Sequence, residues 1–117
     1  MIGYQEKLAR VLDVMGGLYL VDDLLTRIGD GTMQSHVVNN SWAITEVQVY
    51  PRARKLHVVA LVGDLADGEA LHDKVLAFAR DVGVGLVSAH GRRGWMPNAE
   101  AHGWRVKAKS FLYQKEL

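Results

Sequence analysis

Apolar residues recur along this chain at two periods, and the change from one to the other divides it. In YQEKLARVLDVM (4–15), Leu8, Val11, Leu12 and Met15 fall at helical spacing while Glu6, Lys7, Arg10 and Asp13 occupy the rest of the wheel. This predicts an amphipathic helix, ended by Gly16 and Gly17. Leu20, Val21, Leu24, Leu25 and Ile28 repeat the pattern, giving a second helix from about Leu18 to Ile28 with GDG as its stop signal. Beyond it the period shortens. QSHVV (34–38) reads as a short strand before an Asn39–Asn40 turn, and WAITEVQVY (42–50) and KLHVVALVG (55–63) read as longer ones. The PRAR between them predicts an antiparallel hairpin. Val58 to Val62 is apolar on both faces, which places this strand in the middle of the sheet, covered on both sides.

Helical spacing returns in GDLADGEALHDKVLAFARDVG (63–83), through Leu71, Val75, Phe78, Ala79 and Val82, with Asp64 or Asp67 as the expected cap and Gly83 as the end. VGLVSAH (84–90) follows as another buried strand. Gly91 to Gly103 reads as a turn with a short helix, pinned to the sheet by Trp95 and Trp104, and WRVKAKSFLYQKEL (104–117) as a closing strand or bent strand pair. The pattern is that of an α/β (α+β) fold: one domain over 1–117, with a mixed central sheet and helices on both faces. Within it, 1–31 is an N-terminal helical pair and 42–117 the core of sheet and helix.

Composition narrows the chemistry. With 117 residues, 49% hydrophobic and 23% charged, there is room for one core. The absence of Cys excludes disulfides, thiolate metal sites and cysteine nucleophiles together. No stretch approaches a membrane span, no signal peptide precedes the first helix, and a soluble, unprocessed protein is expected. Residues 1–50 carry three basic and six acidic side chains against eleven and seven in 51–117, so the halves differ in sign. The basic half lacks the aromatic–basic runs of a nucleic-acid motif, and no specific nucleic acid is expected as a partner.

Candidate chemistry is sparse. VGDLADGEAL (62–71) has the order strand, loop, helix N-terminus in which backbone N–H groups bind phosphate, with Gly63 and Gly68 permitting unusual backbone angles. Asp64, Asp67 and Glu69 set three carboxylates against that ligand, and helix capping is the favoured role of the aspartates. The five histidines, His36, His57, His72, His90 and His102, show no metal-ligand spacing and are read as scattered structural or surface residues. No serine lies in a GxSxG elbow. Glu46 is the one carboxylate closely flanked by apolar residues: buried, it suits a general base, and otherwise it lies on the exposed face of an edge strand. Arg92 and Arg93 are suited to phosphate or carboxylate, and so to a partner surface, and Trp95 to a ring, with rim and core positions as the structural alternatives.

In ITEVQVYP, ALHDKVLAFARDVGVGLVSAHG and AEAHGWRVKAKSFLYQKEL the chain resembles the GNAT acetyltransferase superfamily, with HGW at the place of the family's glycine–phenylalanine turn. The resemblance covers about residues 42 to 117. In that family a central strand leads into a loop and helix that bind the coenzyme A pyrophosphate through an R/Q-x-x-G-x-G/A pattern, which neither PRARKLHV nor VGDLADGEAL reproduces. The family's first strand has no counterpart here either. If the chain is active, Gly63, Asp64, Gly68 and Glu69 are the residues implied for acetyl-CoA. Tyr113 stands near the place of the general acid of some members, and that role is not carried over.

The segments Trp42 to Val47, Gly63–Asp64, GRRGW and HGW, in that order, are similar to small phage-encoded GNAT-like proteins of head and tail morphogenesis. This likeness implies a non-enzymatic virion or assembly protein with a degenerate cofactor loop, without catalytic residues, cofactor or metal. Its expected partners are other virion proteins such as portal, tail or adaptor components, in a homo-oligomer or symmetric ring, in the virion and in the host cytoplasm during assembly. An acetyl-CoA-dependent N-acyltransferase is the alternative.

Overall fold

The sheet is built outward from the hairpin that PRAR closes. In the computed structural model, which describes residues 4–14, 19–90, 96–105, 107 and 113–117, β2 (Ser41–Val49) and β3 (Arg54–Val62) pair antiparallel from Val49↔Arg54 to Trp42↔Val62. The Tyr50 N–H donates to the Ala53 carbonyl at 2.9 Å across the turn. β1 (Gln34–Val38) joins β2 antiparallel through Asn39 and Asn40, with Asn39 at φ 49°, a left-handed angle that asparagine tolerates. Helix α3 (Gly68–Asp81) then carries the chain across to β4 (Leu86–Ala89), parallel to β3, and the order is β1-β2-β3-β4. β3 therefore lies inside the sheet, as its two apolar faces predict.

One register slip shapes the core. Ile44 faces Ala60 but Thr45 faces Val58, so Val59 is the extra residue of a β-bulge, and the alternation of β3 changes sides there. Before the bulge, Leu56 and Val58 pack toward α3 with Ala43, Leu71, Val75, Ala79 and Val84. After it, Ala60 and Val62 join Ile44 beneath α1 (Tyr4–Val14) and α2 (Val21–Gly29), with Leu8, Leu12, Leu24 and Met33. Helices thus cover both faces, and each fully buried leucine stabilises the fold by about 1.5–3 kcal/mol relative to exposure.

The helical wheel of the second helix needs correction. α2 begins at Val21, Leu20 is its N-cap residue at 72% exposure, and Leu25 is also exposed. Only Leu24 is fully buried, flanked by the half-buried Val21 and Ile28. The Asp23 carboxylate accepts the Leu20 N–H at 2.8 Å and fixes this start. The glycines expected to end α1 lie outside the described residues.

α4 (Met96–Ala101) is the expected short helix, closed by Gly103 at φ 85°. Trp104 ties the segment to α3: its Nε1–H donates to Nε2 of His72 on that helix at 2.9 Å. Trp95 lies outside the described residues. Trp104, Arg105, Lys107 and 113–117 form no strand, and the rest of the expected closing strand is not described. No helix among the described residues is long and apolar enough to cross a membrane.

A buried polar chain crosses the α3 side of the sheet. Thr45 Oγ1–H donates to Gln34 Oε1 at 3.0 Å, so it accepts from His36 Nε2–H at 2.9 Å. Burial, and then the Lys74 charge, lower the His36 pKa from its ordinary 6.5. The unfolded chain therefore binds a proton that the folded chain resists. Stability is expected to fall as pH drops below about 6.5, with the loss ending at the lower folded value. Thermal unfolding at pH 7.5 and 5.5 measures it, and His36→Gln should shrink the difference.

Candidate functional site

β3 outlasts its parallel partner. Pairing with β4 runs from Lys55↔Leu86 to Val58↔Ala89, while β3 continues to Val62, so beyond Val58 its outer edge has no strand partner among the described residues. His57 sits one residue before that parting and Val59, the bulge, one residue after it. The His57 side chain is half-buried, and its Nδ1 lies 2.9 Å from Ser88 Oγ on β4. The His90 ring meets it edge-on at 5.3 Å between centroids. Across the hairpin, Glu46 is its register partner on β2, which sets their Cβ atoms about 5 Å apart.

Burial lowers the His57 pKa below 6.5; His90 and Lys55 act in the same direction, and Glu46 pulls against them. The shift favours the neutral imidazole at pH 7. In the tautomer whose Nδ1–H donates to Ser88, Nε2 presents a lone pair, and the group can accept a proton from a bound nucleophile.

Beyond Val62 the chain turns through Gly63 and Asp64, makes a single 3₁₀ turn over Leu65–Asp67 and enters α3. The β1–β2 turn holds this loop. The buried Asp67 carboxylate accepts from Ser41 Oγ–H at 2.7 Å and Asn39 Nδ2–H at 2.9 Å, and Ser41 Oγ in turn accepts the Asp64 N–H at 2.9 Å. Hydrogen bonds from Asn39, Ser41 and the Asn40 backbone keep Asp67 below the ordinary carboxylate pKa.

This overturns the expected cap. Asp67 is the N-cap residue of α3 but makes no side-chain cap bond, because its carboxylate is turned inward to the hairpin. The first turn of α3 is left without a side-chain cap, and a side chain at Gly68 would meet open space. Of the three carboxylates set against an anion in this loop, only Asp64 and Glu69 remain exposed.

The structure sets Gly63 and Asp64 in the connection after β3, Gly68 and Glu69 in the first turn of α3, and Glu46 on the strand beside β3. Glu46 is not on an edge strand: β2 is internal and the side chain is half-buried. Tyr113 is 89% exposed. Arg92 and Arg93 lie outside the described residues. Among the described residues no three His, Asp or Glu side chains gather to hold a metal.

His57 is the residue whose surroundings sequence reading did not anticipate. Read one at a time, the histidines look scattered, yet His57 with His90 and His72 with His102 are ring neighbours. The available signal was a lone polar residue inside the apolar run LHVVAL. Counted back from the PRAR turn, the hairpin sets it opposite Glu46.

No protein-family model and no curated protein sequence matches the chain. Solved structures do. An acetyltransferase of Trypanosoma brucei superposes with TM-score 0.65 at 15% identity, over 98% of this chain and 97% of that one. Glucosamine-6-phosphate N-acetyltransferase from Arabidopsis thaliana gives 0.65 at 10% identity, over 92% and 90%. An aminoglycoside N-acetyltransferase in complex with CoA gives 0.58 at 11%, over 82% and 90%. At these identities the likeness is one of architecture, and it is extensive: the chain is a single α+β domain with the fold of the GNAT acetyltransferases.

Proposed function

We propose that this protein is an acyltransferase that moves an acetyl group from acetyl-CoA to an amine. The observation that carries the reading is His57, a half-buried neutral imidazole steadied by Ser88 where β3 and β4 stop pairing. The neighbouring loop suits a pyrophosphate better than its composition suggests. Asp67 is engaged with the hairpin, Gly68 leaves room for close approach, and the α3 N-terminus lacks a side-chain cap. Backbone N–H groups of Gly68, Glu69 and Ala70 would hold phosphate oxygens there.

Bound there, acetyl-CoA supplies an acyl group activated as a thioester. The chain's part is to take protons at the right atom. Overall, an ammonium and a thioester give an amide, a thiol and one proton. His57 Nε2 removes that proton and returns it to solvent, and the second amine proton leaves with the departing sulfur.

Calorimetric titration with acetyl-CoA, followed by an assay for amine-dependent release of free thiol, tests the reading. Saturable heat and thiol release are expected. Neither signal at millimolar acetyl-CoA would end it and leave the assembly reading: a non-enzymatic phage protein binding portal, tail or adaptor components. The measurement for that reading is charge reversal at Arg92 and Arg93.

A further inference from the structure

Glu46 and Gln48 alternate along the end of β2 and share a face, and Tyr50 follows just beyond the strand. The Tyr50 hydroxyl donates to Gln48 Oε1 at 2.9 Å, and Gln48 Nε2–H donates to Glu46 Oε1 at 2.8 Å. The relay runs one way and ends on a carboxylate. Lys55, opposite Gln48 in the register, is the cation best placed to neutralise it, but its Nζ lies over the Tyr50 ring, 5.1 Å from the centroid. Among the described residues no Lys or Arg forms an ion pair with Glu46; the single pair is His72 with Asp73, elsewhere.

We infer that Glu46 is the docking site for the ammonium group of the acceptor, with Gln48 and Tyr50 as positioning residues that aim its carboxylate toward the space beside His57. The inference rests on the acyltransferase reading for the transfer step, but not for binding. A half-buried carboxylate without a cation loses hydration and regains it only partly from one amide donor. An ammonium supplies charge and N–H donors together. Its second N–H then falls to His57, the register partner of Glu46. A neutral nucleophile gains the second contact but not the first, so the site selects acceptors that arrive protonated.

The test uses the full chain, with NMR of the imidazole resonances and two probes of one shape: phenethylamine, cationic at neutral pH, and 2-phenylethanol. The His57 signals should shift saturably with the amine and not with the alcohol. Glu46→Gln, which keeps the shape and removes the charge, should weaken amine binding about tenfold or more, the weight of a hydrogen bond to a charged group. Glu46→Asp should restore part of it. Gln48→Leu and Tyr50→Phe should weaken it in the same direction by about two- to fivefold, the loss of one neutral hydrogen bond or less. In the transfer assay the same variants should raise KM for the amine more than they lower kcat. Equal binding of the amine by wild type and Glu46→Gln, or equal shifts with the alcohol, would overturn the inference. If acetyl-CoA fails to bind while the amine titrations behave as stated, the transfer reading falls and the ammonium site stands.

Discussion

His57→Gln is expected to lower kcat/KM for acetyl transfer by about 10²–10⁴-fold, the usual weight of a positioned general base, while acetyl-CoA binding stays within about twofold of wild type. The substitution removes the proposed proton acceptor and keeps an amide of similar reach toward Ser88. Its stability cost is that of one altered hydrogen bond, about 1 kcal/mol. The pH profile separates this role from a structural one. Because burial, His90 and Lys55 lower the His57 pKa, the acid limb of wild-type activity, where Nε2 becomes protonated, should lie at lower pH than for an ordinary imidazole. In His57→Gln that acid limb should vanish from the residual rate. A variant that loses activity uniformly at all pH values, or loses acetyl-CoA binding with it, would place His57 in the scaffold instead.

The same residue shows how far the sequence could be read. α1, the β2–β3 hairpin and α3 lie close to where periodicity sets them, because each has a face whose apolar spacing permits one secondary structure, whereas β4 forms in its expected place but is only partly buried, with Leu86 exposed. The burial of α2 was harder. Its apolar residues spread over a wide stripe, and only packing against α1 and β1 chose Leu24 over Leu20 and Leu25. Nothing local announced the bulge at Val59, since a run of valine and alanine looks the same on either side of a register slip. Yet that slip divides β3 between two cores and lies beside the parting of the strands. Asp67 is the instructive miss among the site residues. Its position before a helix suggests a cap, and only the fold reveals that Ser41 and Asn39, far away in sequence, take the carboxylate first.

Gly63 and Gly68 look alike in the sequence, and their alanine variants should behave in opposite ways. Gly63 adopts φ 140°, and a Cβ there would run into the backbone and side chain of Ser41. Ser41 cannot retreat, because its hydroxyl bridges Asp64 and Asp67 and its backbone begins β2. Overpacking of this kind costs roughly 1–3 kcal/mol, and the left-handed backbone adds about 1–2 kcal/mol. For a domain of this size the sum corresponds to a fall in melting temperature of about 10 °C or more. Gly68 has a negative φ, and a Cβ added to it would find no atom within 4 Å, at the first position of α3. Gly68→Ala should therefore leave stability unchanged or raise it by about 0.4–1 kcal/mol, through the unfolded chain. Thermal unfolding of the two variants side by side tests the clamp directly. Gly63→Ala melting like wild type would mean that the loop yields easily, and that the β1–β2 turn does not hold it. A stable Gly68→Ala with weakened acetyl-CoA binding would mark the same open space as the place where a phosphate approaches the helix.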